Sequence, residues 1–305
     1  MSTELRSGIS EVAETLQKWY NLNVEAKADP RVSEWLFMGS PWPTLILTAL
    51  YLCLVKYGPG LMKPYPALNL RPLLIGYNLM LVLFSIWMFF EFAFTTVLSQ
   101  EFSIICQPVD YSNNTMAKRL AAVIWWYYFS KFVEFLDTIF FILRKKDSQI
   151  TFLHVYHHST MFILWWIGVK FVAGGESYFS ATVNCGVHVV MYSYYLLSAL
   201  GPAVQKYLWW KKYMTVLQLA QFFAVILHTT YAIYSDCGYP NVYQYALIAY
   251  SFSHVCLFSN FYVNKYSKTT AVNGKTKEVN GARHSDRDSV NQRTAQSNSE
   301  LNRLA

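Results

Sequence analysis

The stretch LMLVLFSIWMFF, from Leu79 to Phe90, contains a single polar residue, Ser85. A continuous apolar run of this kind excludes a strand of a β-barrel, because barrel strands alternate apolar and polar side chains. The run lies inside a longer apolar block, residues 72–98. About 20 apolar residues in a helix cross the roughly 30 Å hydrocarbon layer of a membrane. The stretch therefore predicts an all-α membrane protein.

Apolar blocks of similar length recur along the chain, which has 305 residues, 54% of them apolar and 14% charged. We predict seven transmembrane helices, near residues 41–57, 72–98, 119–142, 151–170, 178–200, 207–233 and 241–264. These spans define a transmembrane domain over residues 41–264. The preceding polar segment, residues 1–40, lacks the apolar core of a signal peptide. The basic tail, residues 265–305, has a composition that predicts disorder.

Lysine and arginine flank the spans unevenly, and the connections rich in them are expected to face the cytosol. Those connections contain Lys56, Lys63, Arg71, Arg144, Lys145, Lys146, Lys206, Lys211 and Lys212. Seven spans then place the N-terminal segment in a lumen and the tail in the cytosol. The net charge of +7 fits this topology and an attraction to anionic lipid or phosphate, so we predict no nucleic-acid partner.

Two connections on the predicted luminal side carry residues typical of that compartment. Asn113 begins the sequon NNT, which predicts a glycosylation site. Cys106 lies in the same connection and Cys237 follows the sixth span, so both thiols are expected in an oxidising compartment. A disulfide between them and two unpaired thiols are both compatible with the sequence. The remaining cysteines lie within spans and are expected to be core residues: Cys53, Cys185 and Cys256.

The block TFLHVYHHSTMFILWW, residues 151–166, contains His154, His157 and His158. His154 shares a helix face with each of the other two, at spacings of three and four residues. At 1.5 Å per residue the cluster lies about 5–10 Å beyond the predicted cytosolic end of its span. A single histidine in a span is usually a packing residue, whereas three within five positions indicate a functional site.

Three neighbouring spans add polar side chains at helical spacing. Lys131, Glu134 and Asp137 follow one another three residues apart, and each charge within a span costs roughly 2.5–3.5 kcal/mol, which implies interior partners. A structural ion-pair ladder and a direct catalytic role are both open for these three. The fifth and sixth spans add Asn184, His188, Tyr192, Tyr195, Thr215, Gln218 and Gln221. Together they predict a polar chamber, and we assign the isolated His228 and His254 to packing.

The sequence HVYHH, residues 154–158, matches the H-x-x-H-H box of membrane di-iron desaturases and hydroxylases. Such sites use about eight histidines or more, whereas this chain has seven, and His284 lies in the tail. A zinc ion held by three histidines is disfavoured, because the adjacent His157 and His158 point about 100° apart on a helix. We therefore predict no metal and no other cofactor. A metal oxidase or desaturase is one alternative, and a non-enzymatic seven-helix receptor or transporter is another.

Four motifs in this order resemble the signature set of the ELO fatty acid elongases: KFVEFLDT, HVYHH, HVVMYSYY and TVLQLAQ, at residues 131–138, 154–158, 188–195 and 215–221. The likeness extends from about Ser40 to Tyr266 and is strongest to the animal very-long-chain subgroup. It implies seven helices, six of which enclose a narrow acyl-chain tunnel. It also implies decarboxylative condensation of an acyl-CoA with malonyl-CoA, giving a 3-ketoacyl-CoA, carbon dioxide and coenzyme A.

The resemblance makes His157 and His188 the imidazoles nearest the reacting acyl carbon, with His154 and His158 in support. It also pairs Cys106 with Cys237. Substrate-binding and supporting roles are then expected for Lys131, Glu134, Asp137, Asn184, Tyr192, Tyr195, Gln218 and Gln221. Cys185 is the alternative nucleophile, but its sequence neighbours include no cation that would activate it.

The expected partners follow from the same resemblance. The phosphates of both CoA substrates are expected to meet the basic residues Arg144, Lys145, Lys146, Lys211 and Lys212. Primers from about the twenty-carbon class upward are expected, together with membrane lipid and the ketoacyl reductase, dehydratase and enoyl reductase of the elongation cycle. A homo-oligomer is left open. The expected compartment is the endoplasmic reticulum membrane, although the chain ends in ELNRLA without a lysine-based retrieval signal.

Overall fold

The computed structural model describes residues 3–99, 102–236 and 238–267. All long elements in these ranges are helices, and no strand occurs among them, so the predicted all-α class is confirmed. The helices are α1 (Thr3–Asn23), α2 (Trp42–Leu61), α3 (Arg71–Val97), α4 (Thr115–Val133), α5 (Phe135–Leu143), α6 (Phe152–Val172), α7 (Ser177–Ala199), α8 (Pro202–Gln205), α9 (Lys211–Tyr234) and α10 (Asn241–Tyr262). Short 3-10 turns occupy Glu25–Lys27, Pro30–Val32 and Asp147–Gln149, and a π-helical turn spans Val263–Ser267.

The chain divides into two compact units, residues 1–255 and 256–305. The first contains α1 to α9 and most of α10. The described part of the second contains the last turns of α10 and the π-helical turn, where the Tyr266 ring packs against Tyr262 at 5.2 Å between centroids. The predicted tail lies mostly outside the described residues, since these end at residue 267.

Each predicted apolar block corresponds to a helix or, for the third block, to a pair of helices. Four segments within the described residues are long and apolar enough to cross a membrane: Trp42–Leu61, Arg71–Val97, Lys211–Tyr234 and Asn241–Tyr266. Several such helices in one chain are typical of a multi-pass membrane protein. The helices α4, α6 and α7 are not among these four segments, and they carry the buried polar side chains described below. The count of seven spans therefore stays a prediction.

Aromatic packing joins the central helices of the first unit. Tyr128 of α4 stacks on Phe162 of α6 at 5.0 Å between ring centroids, and Tyr51 of α2 stacks on Phe135 of α5 at 4.3 Å. Gly58 allows α2 to approach α5 closely, since a Cβ atom there would lie 2.8 Å from the Ile142 Cδ1 atom. Offset and edge-on ring pairs add about 0.5–1.5 kcal/mol each beyond buried area. This packing fixes the positions of the helices that carry the polar residues.

The third predicted span is interrupted, which corrects the continuous helix expected over residues 119–142. Its two parts, α4 and α5, meet at Glu134. The Asp137 amide bonds to the Glu134 carbonyl three residues back, and the Ser130 hydroxyl bonds to the Tyr127 carbonyl. Hydroxyl groups that bond back to the helix compete with its regular ladder and often bend it. The interruption places a carboxylate at the junction of two helices.

Residues 29–41 form an irregular segment, which we call the strap, that packs along α4 and α6. Its Val32 and Met38 side chains are fully buried. Arg31 fastens it through hydrogen bonds to the carbonyls of Asp110, Ala117 and Ala173. The sequence indicated only a polar N-terminal segment here, because the strap has no helical or strand periodicity. It adds a layer of buried backbone against the central helices.

Three consecutive strap carbonyls are each satisfied by a side chain of α4 or α6. The indole Nε1 of Trp125 donates to Leu36 at 3.0 Å, and that of Trp166 donates to Phe37 at 2.8 Å. The Lys170 ammonium donates to the Met38 carbonyl at 2.9 Å and also pairs with Glu25 at 2.9 Å. Buried irregular backbone is tolerated where protein groups complete its hydrogen bonds. The strap meets that condition.

Candidate functional site

Glu134, His157 and His188 converge from three different helices. One ligand atom of each, a carboxylate oxygen or a ring nitrogen, lies within 4.8 Å of the others. Glu134 stands at the α4–α5 junction, His157 lies in the second turn of α6, and His188 lies in the middle of α7. The sequence predicted His157 and His188 as the central imidazoles from the family resemblance, and the structure brings them together around a carboxylate.

Glu134 is held by a buried ion pair. Lys131 Nζ lies 2.8 Å from Glu134 Oε1, and His188 Nδ1 lies 3.4 Å from the same oxygen. Lys131 is 1% exposed and Glu134 is 2% exposed, so neither charge is shared with solvent. Lys131 also lies 4.3 Å from the centre of the Tyr127 ring. A buried ion pair is tolerated only when further polar groups satisfy it, and here an imidazole and an aromatic face do so.

The polar stripe predicted on α7 joins α4, α5 and α9. Tyr127 of α4 donates its hydroxyl proton to Asn184 Oδ1 at 2.6 Å, and Asn184 Nδ2 donates to Gln221 of α9 at 3.4 Å. Tyr192 donates to Asp137 at 2.9 Å. Gln218 Nε2 lies 3.7 Å from the Met191 sulfur, and the 38% exposed Tyr195 packs its ring against Tyr192. The stripe therefore makes one hydrogen-bonded chain, from Tyr127 through Asn184 to Gln221, and a separate Tyr192–Asp137 pair.

The other two histidines of the box lie beside this centre. His154 Nε2 is 2.7 Å from the Thr138 hydroxyl of α5, and its ring centroid is 4.3 Å from that of His158. His158 is buried, and its ring meets His157 edge-on at 5.5 Å. The three imidazoles of the HVYHH box thus contact α5, α10 and the Glu134 centre.

His254 is the residue that sequence reasoning missed. Its Nε2 lies 3.3 Å from His157 Nδ1, and its ring is fully buried. The assignment of His254 to packing without companions is corrected, because the helix that carries it, α10, passes beside α6. No local motif marks this contact, and a histidine within an apolar span was the only available signal.

His228 also has a companion, contrary to the sequence interpretation. His228 Nδ1 lies 2.6 Å from Glu176 Oε1, its Nε2 lies 3.0 Å from the Ile104 carbonyl, and its ring stacks on Phe179 at 3.7 Å. These contacts join α9 to the start of α7 and to the connection before α4. They lie at the opposite end of α7 from Tyr192 and hold the ends of the helices together.

The basic residues predicted to attract phosphate follow α5 and begin α9. Lys145, Lys146, Lys211 and Lys212 are exposed, and Arg144 is half-buried. Lys145 adopts a positive φ of 53° and donates to the Lys63 carbonyl at 3.1 Å. The Lys212 ammonium lies 4.9 Å from the centre of the neighbouring Tyr213 ring. These side chains are accessible to a charged ligand, and their role in binding one stays a prediction.

The predicted disulfide and glycan remain predictions. Cys237 lies outside the described residues, and Asn113 is exposed just before α4. Cys53, Cys185 and Cys256 are free. Cys53 and Cys256 are exposed, which corrects their assignment to the core, because a small apolar thiol on a helix can also face outward. Cys185 is buried on α7, one turn before His188. A cavity of about 230 Å³ lies beside the connection before α4 and is lined by residues that include Gln107, Asp110, Asn114 and Gly175.

The centre offers one carboxylate and two imidazoles, which is a donor set that zinc accepts. The Lys131 ammonium 2.8 Å from Glu134 opposes a second cation at that carboxylate. A ring nitrogen of His157 is already directed to His254. The arrangement instead suits nucleophilic and acid–base chemistry, because neutral imidazoles, a carboxylate and an ammonium group meet in a site shielded from water.

The fold and the site define a class, that of multi-pass membrane proteins with an acid–base centre enclosed by their helices. Comparison with known proteins gives the family. The ELO: GNS1/SUR4 family matches residues 36–274. The very long chain fatty acid elongase 4 of Homo sapiens is 52% identical over 254 residues, which is 81% of each chain. The very long chain fatty acid elongase 5 of Tachysurus fulvidraco is 46% identical over 253 residues, 83% of this chain and 85% of its own. The chain belongs to the ELO family.

Proposed function

We propose that the protein is a fatty acid elongase that condenses a long or very long acyl-CoA with malonyl-CoA. Family membership and relatives named very long chain fatty acid elongases support this activity. The observation that carries the chemistry is the convergence of His157 and His188 on the Glu134–Lys131 ion pair. The products are a 3-ketoacyl-CoA, carbon dioxide and coenzyme A.

His157 is the nucleophile in the first half-reaction. A lone pair of its ring attacks the thioester carbon, the C–S bond breaks, and the acylated ring becomes cationic while coenzyme A leaves as a thiolate, which takes up a proton from solvent. The acyl group stays on His157 as an acyl-imidazole, so the enclosed site must exclude water, which would hydrolyse it. Burial of the surrounding Lys131, Glu134 and His188 side chains fits this requirement.

The second half-reaction forms the carbon–carbon bond. Malonyl-CoA loses carbon dioxide, and the electron pair of the broken bond attacks the acyl carbon, so that the His157–acyl bond breaks and the imidazole is restored. His188, whose Nδ1 lies 3.4 Å from Glu134 Oε1, positions the acyl carbon and assists the malonyl step. Asn184 orients the neighbouring polar groups through Tyr127 and Gln221. His154 and His158 support the box through α5.

The surroundings of the reaction follow from the same proposal. Seven helices cross the endoplasmic reticulum membrane, six of them enclose the acyl chain, and the N-terminal and C-terminal segments face the lumen and the cytosol. Arg144, Lys145, Lys146, Lys211 and Lys212 attract the CoA phosphates, and primers reach from about the twenty-carbon class upward. The product then passes to a ketoacyl reductase, a dehydratase and an enoyl reductase. Exposed apolar side chains on α2, α3 and α9 support contact with membrane lipid.

The first half-reaction can be tested with acyl-CoA as the sole substrate. Purified protein with a labelled acyl-CoA should release about one coenzyme A per chain and retain the label, and steady-state kinetics should be ping-pong. His157→Ala should abolish both signals. Cys185→Ala is the matched control, since it alters a buried residue one turn from His188, and it should retain both. Coenzyme A release that requires malonyl-CoA, with intersecting kinetic lines, would reject the acyl-imidazole.

Within the described residues, the donor set of Glu134, His157 and His188 is the observation that supports the metal oxidase alternative. Elemental analysis of the purified protein, together with product analysis after chelation, separates the two functions. Stoichiometric iron or zinc combined with loss of activity on chelation would favour the metal enzyme. Condensation products that persist in excess chelator would favour the elongase.

A further inference from the structure

A chain of three hydrogen-bonding groups ends at His157. The Tyr250 carbonyl lies 3.0 Å from His254 Nδ1, and His254 Nε2 lies 3.3 Å from His157 Nδ1. His254 is fully buried and His157 is half-buried. The chain runs from the backbone of α10 across to α6, so it connects helices whose contact residues are separated by 97 positions in sequence.

The carbonyl at one end decides where the protons lie. A backbone carbonyl only accepts, so the 3.0 Å contact places a proton on His254 Nδ1. The Ser253 hydroxyl, 3.5 Å from the same nitrogen, donates to the Tyr250 carbonyl at 2.7 Å and leaves its own lone pair available, which agrees with a proton on that nitrogen. In a neutral imidazole the other nitrogen is then an acceptor. His254 Nε2 is therefore unprotonated.

The same reasoning applies to the next ring. An unprotonated His254 Nε2 accepts from His157 only if His157 Nδ1 carries the proton. A neutral His157 then has its lone pair on Nε2. The proposed attack itself requires a neutral His157, because a protonated imidazole has no free lone pair. The two contacts together select one tautomer of His157.

We propose that His254 is a positioning residue that holds His157 in the tautomer whose Nε2 is the nucleophile. The inference rests on the proposed acyl-imidazole reaction. When Nε2 bonds to the acyl carbon, the ring becomes cationic while Nδ1 keeps its proton, and His254 Nε2 accepts the hydrogen bond from that cation. The opposite tautomer would present an N–H group to the thioester and could not attack. The acceptor that orients His157 lies on α10 and not in the HVYHH box, since His154 of that box is hydrogen-bonded to Thr138.

Two variants of His254 separate an acceptor from a space-filling ring. His254→Leu removes the acceptor, whereas His254→Gln offers an amide oxygen near the position of Nε2. With acyl-CoA alone, His254→Leu should release coenzyme A about 10- to 100-fold more slowly, by analogy with the loss of partners that orient metal-bound imidazoles. The half-saturating acyl-CoA concentration should stay unchanged, and His254→Gln should recover part of the rate. Thr160→Val is the matched control, because it deletes another α6–α10 hydrogen bond, to the Tyr250 hydroxyl, and should retain the wild-type rate.

The outcomes distinguish this inference from the proposed function. If wild-type protein forms no labelled acyl-enzyme, the reaction proposed above fails. If wild-type protein forms it and folded His254→Leu does so equally fast, or His254→Gln is as slow as His254→Leu, the positioning role is overturned. Nitrogen-15 NMR of histidine-labelled wild type, with His157→Ala for assignment, gives a test without His254 variants. A protonated Nδ1 and bare Nε2 on His157 support the proposal, and the reverse pattern rejects it.

Discussion

At the scale of single residues, burial of the Lys131–Glu134 pair costs desolvation energy, and several neighbouring groups contact the two charges. Both charges are taken out of water, and their 2.8 Å contact, the His188 imidazole and the Tyr127 ring replace that solvation. Buried pairs of this kind add little net stability, yet removal of one partner leaves the other without compensation. The pair therefore makes the site sensitive to changes in charge more than to changes in volume.

Because removal of one charge leaves the other unpaired, the losses of stability caused by the two substitutions should not be additive. Lys131→Met and Glu134→Gln alone should each lower the free energy of unfolding by about 3–5 kcal/mol, because each leaves a lone buried charge. The double variant removes both charges and should lose clearly less than the sum of the two. Thermal unfolding in one detergent gives the comparison. All three variants should lose condensation activity, and additive destabilisation would contradict the coupling of the two residues.

At the scale of elements, the strap is held by donors that belong to two different helices. Its neighbours are α4 and α6, and three successive carbonyls each receive a side-chain proton. Phe37 adopts a positive φ of 69°, which is unusual for a bulky residue, and its carbonyl accepts from Trp166. The donors therefore stabilise a backbone conformation that the strap sequence alone does not favour.

Loss of one of these donors should be measurable as stability. Trp166→Phe keeps an aromatic ring and leaves the Phe37 carbonyl buried without its indole partner, which should cost about 1–3 kcal/mol. Trp126→Phe is the control, since Trp126 is 38% exposed on α4 and a similar ring change there should cost less. Thermal unfolding of both variants would check the difference. Equal losses would mean that ring volume, and not the hydrogen bond, holds the strap.

At the scale of the whole molecule, the sequence predicted positions along the chain better than neighbours in space. Apolar blocks located the helices because a membrane helix satisfies its own backbone and depends on local composition. The contact of His157 with His254 and that of Trp166 with Phe37 join residues 97 and 129 positions apart. Hydropathy indicates which residues are buried but not which residue each one meets. The conformation of the strap depends on such distant partners, so hydrophobic periodicity did not predict it.

The orientation of the molecule can be tested at the predicted glycosylation site. Asn113 is exposed, and the adjacent Asn114 caps α4 by accepting from the Met116 amide at 2.9 Å. If the connection before α4 faces the lumen, endoglycosidase should increase the gel mobility of wild-type protein but not that of Asn113→Gln. Asn114→Ala keeps the sequon and removes only the helix cap, so it should retain the glycan. An unglycosylated wild type, alongside a glycosylated sequon introduced near Asp147, would reverse the orientation.

The strap also constrains the order of events during synthesis. The Phe37 and Met38 carbonyls accept hydrogen bonds from Trp166 and Lys170, which are synthesised 129 and 132 residues later. At ribosomal rates of 5–20 residues per second, this delay is roughly 6–26 s. During that interval those carbonyls lack the partners that they have in the folded protein. The strap, although made among the first segments, therefore completes its final hydrogen bonds only after α6 has been made.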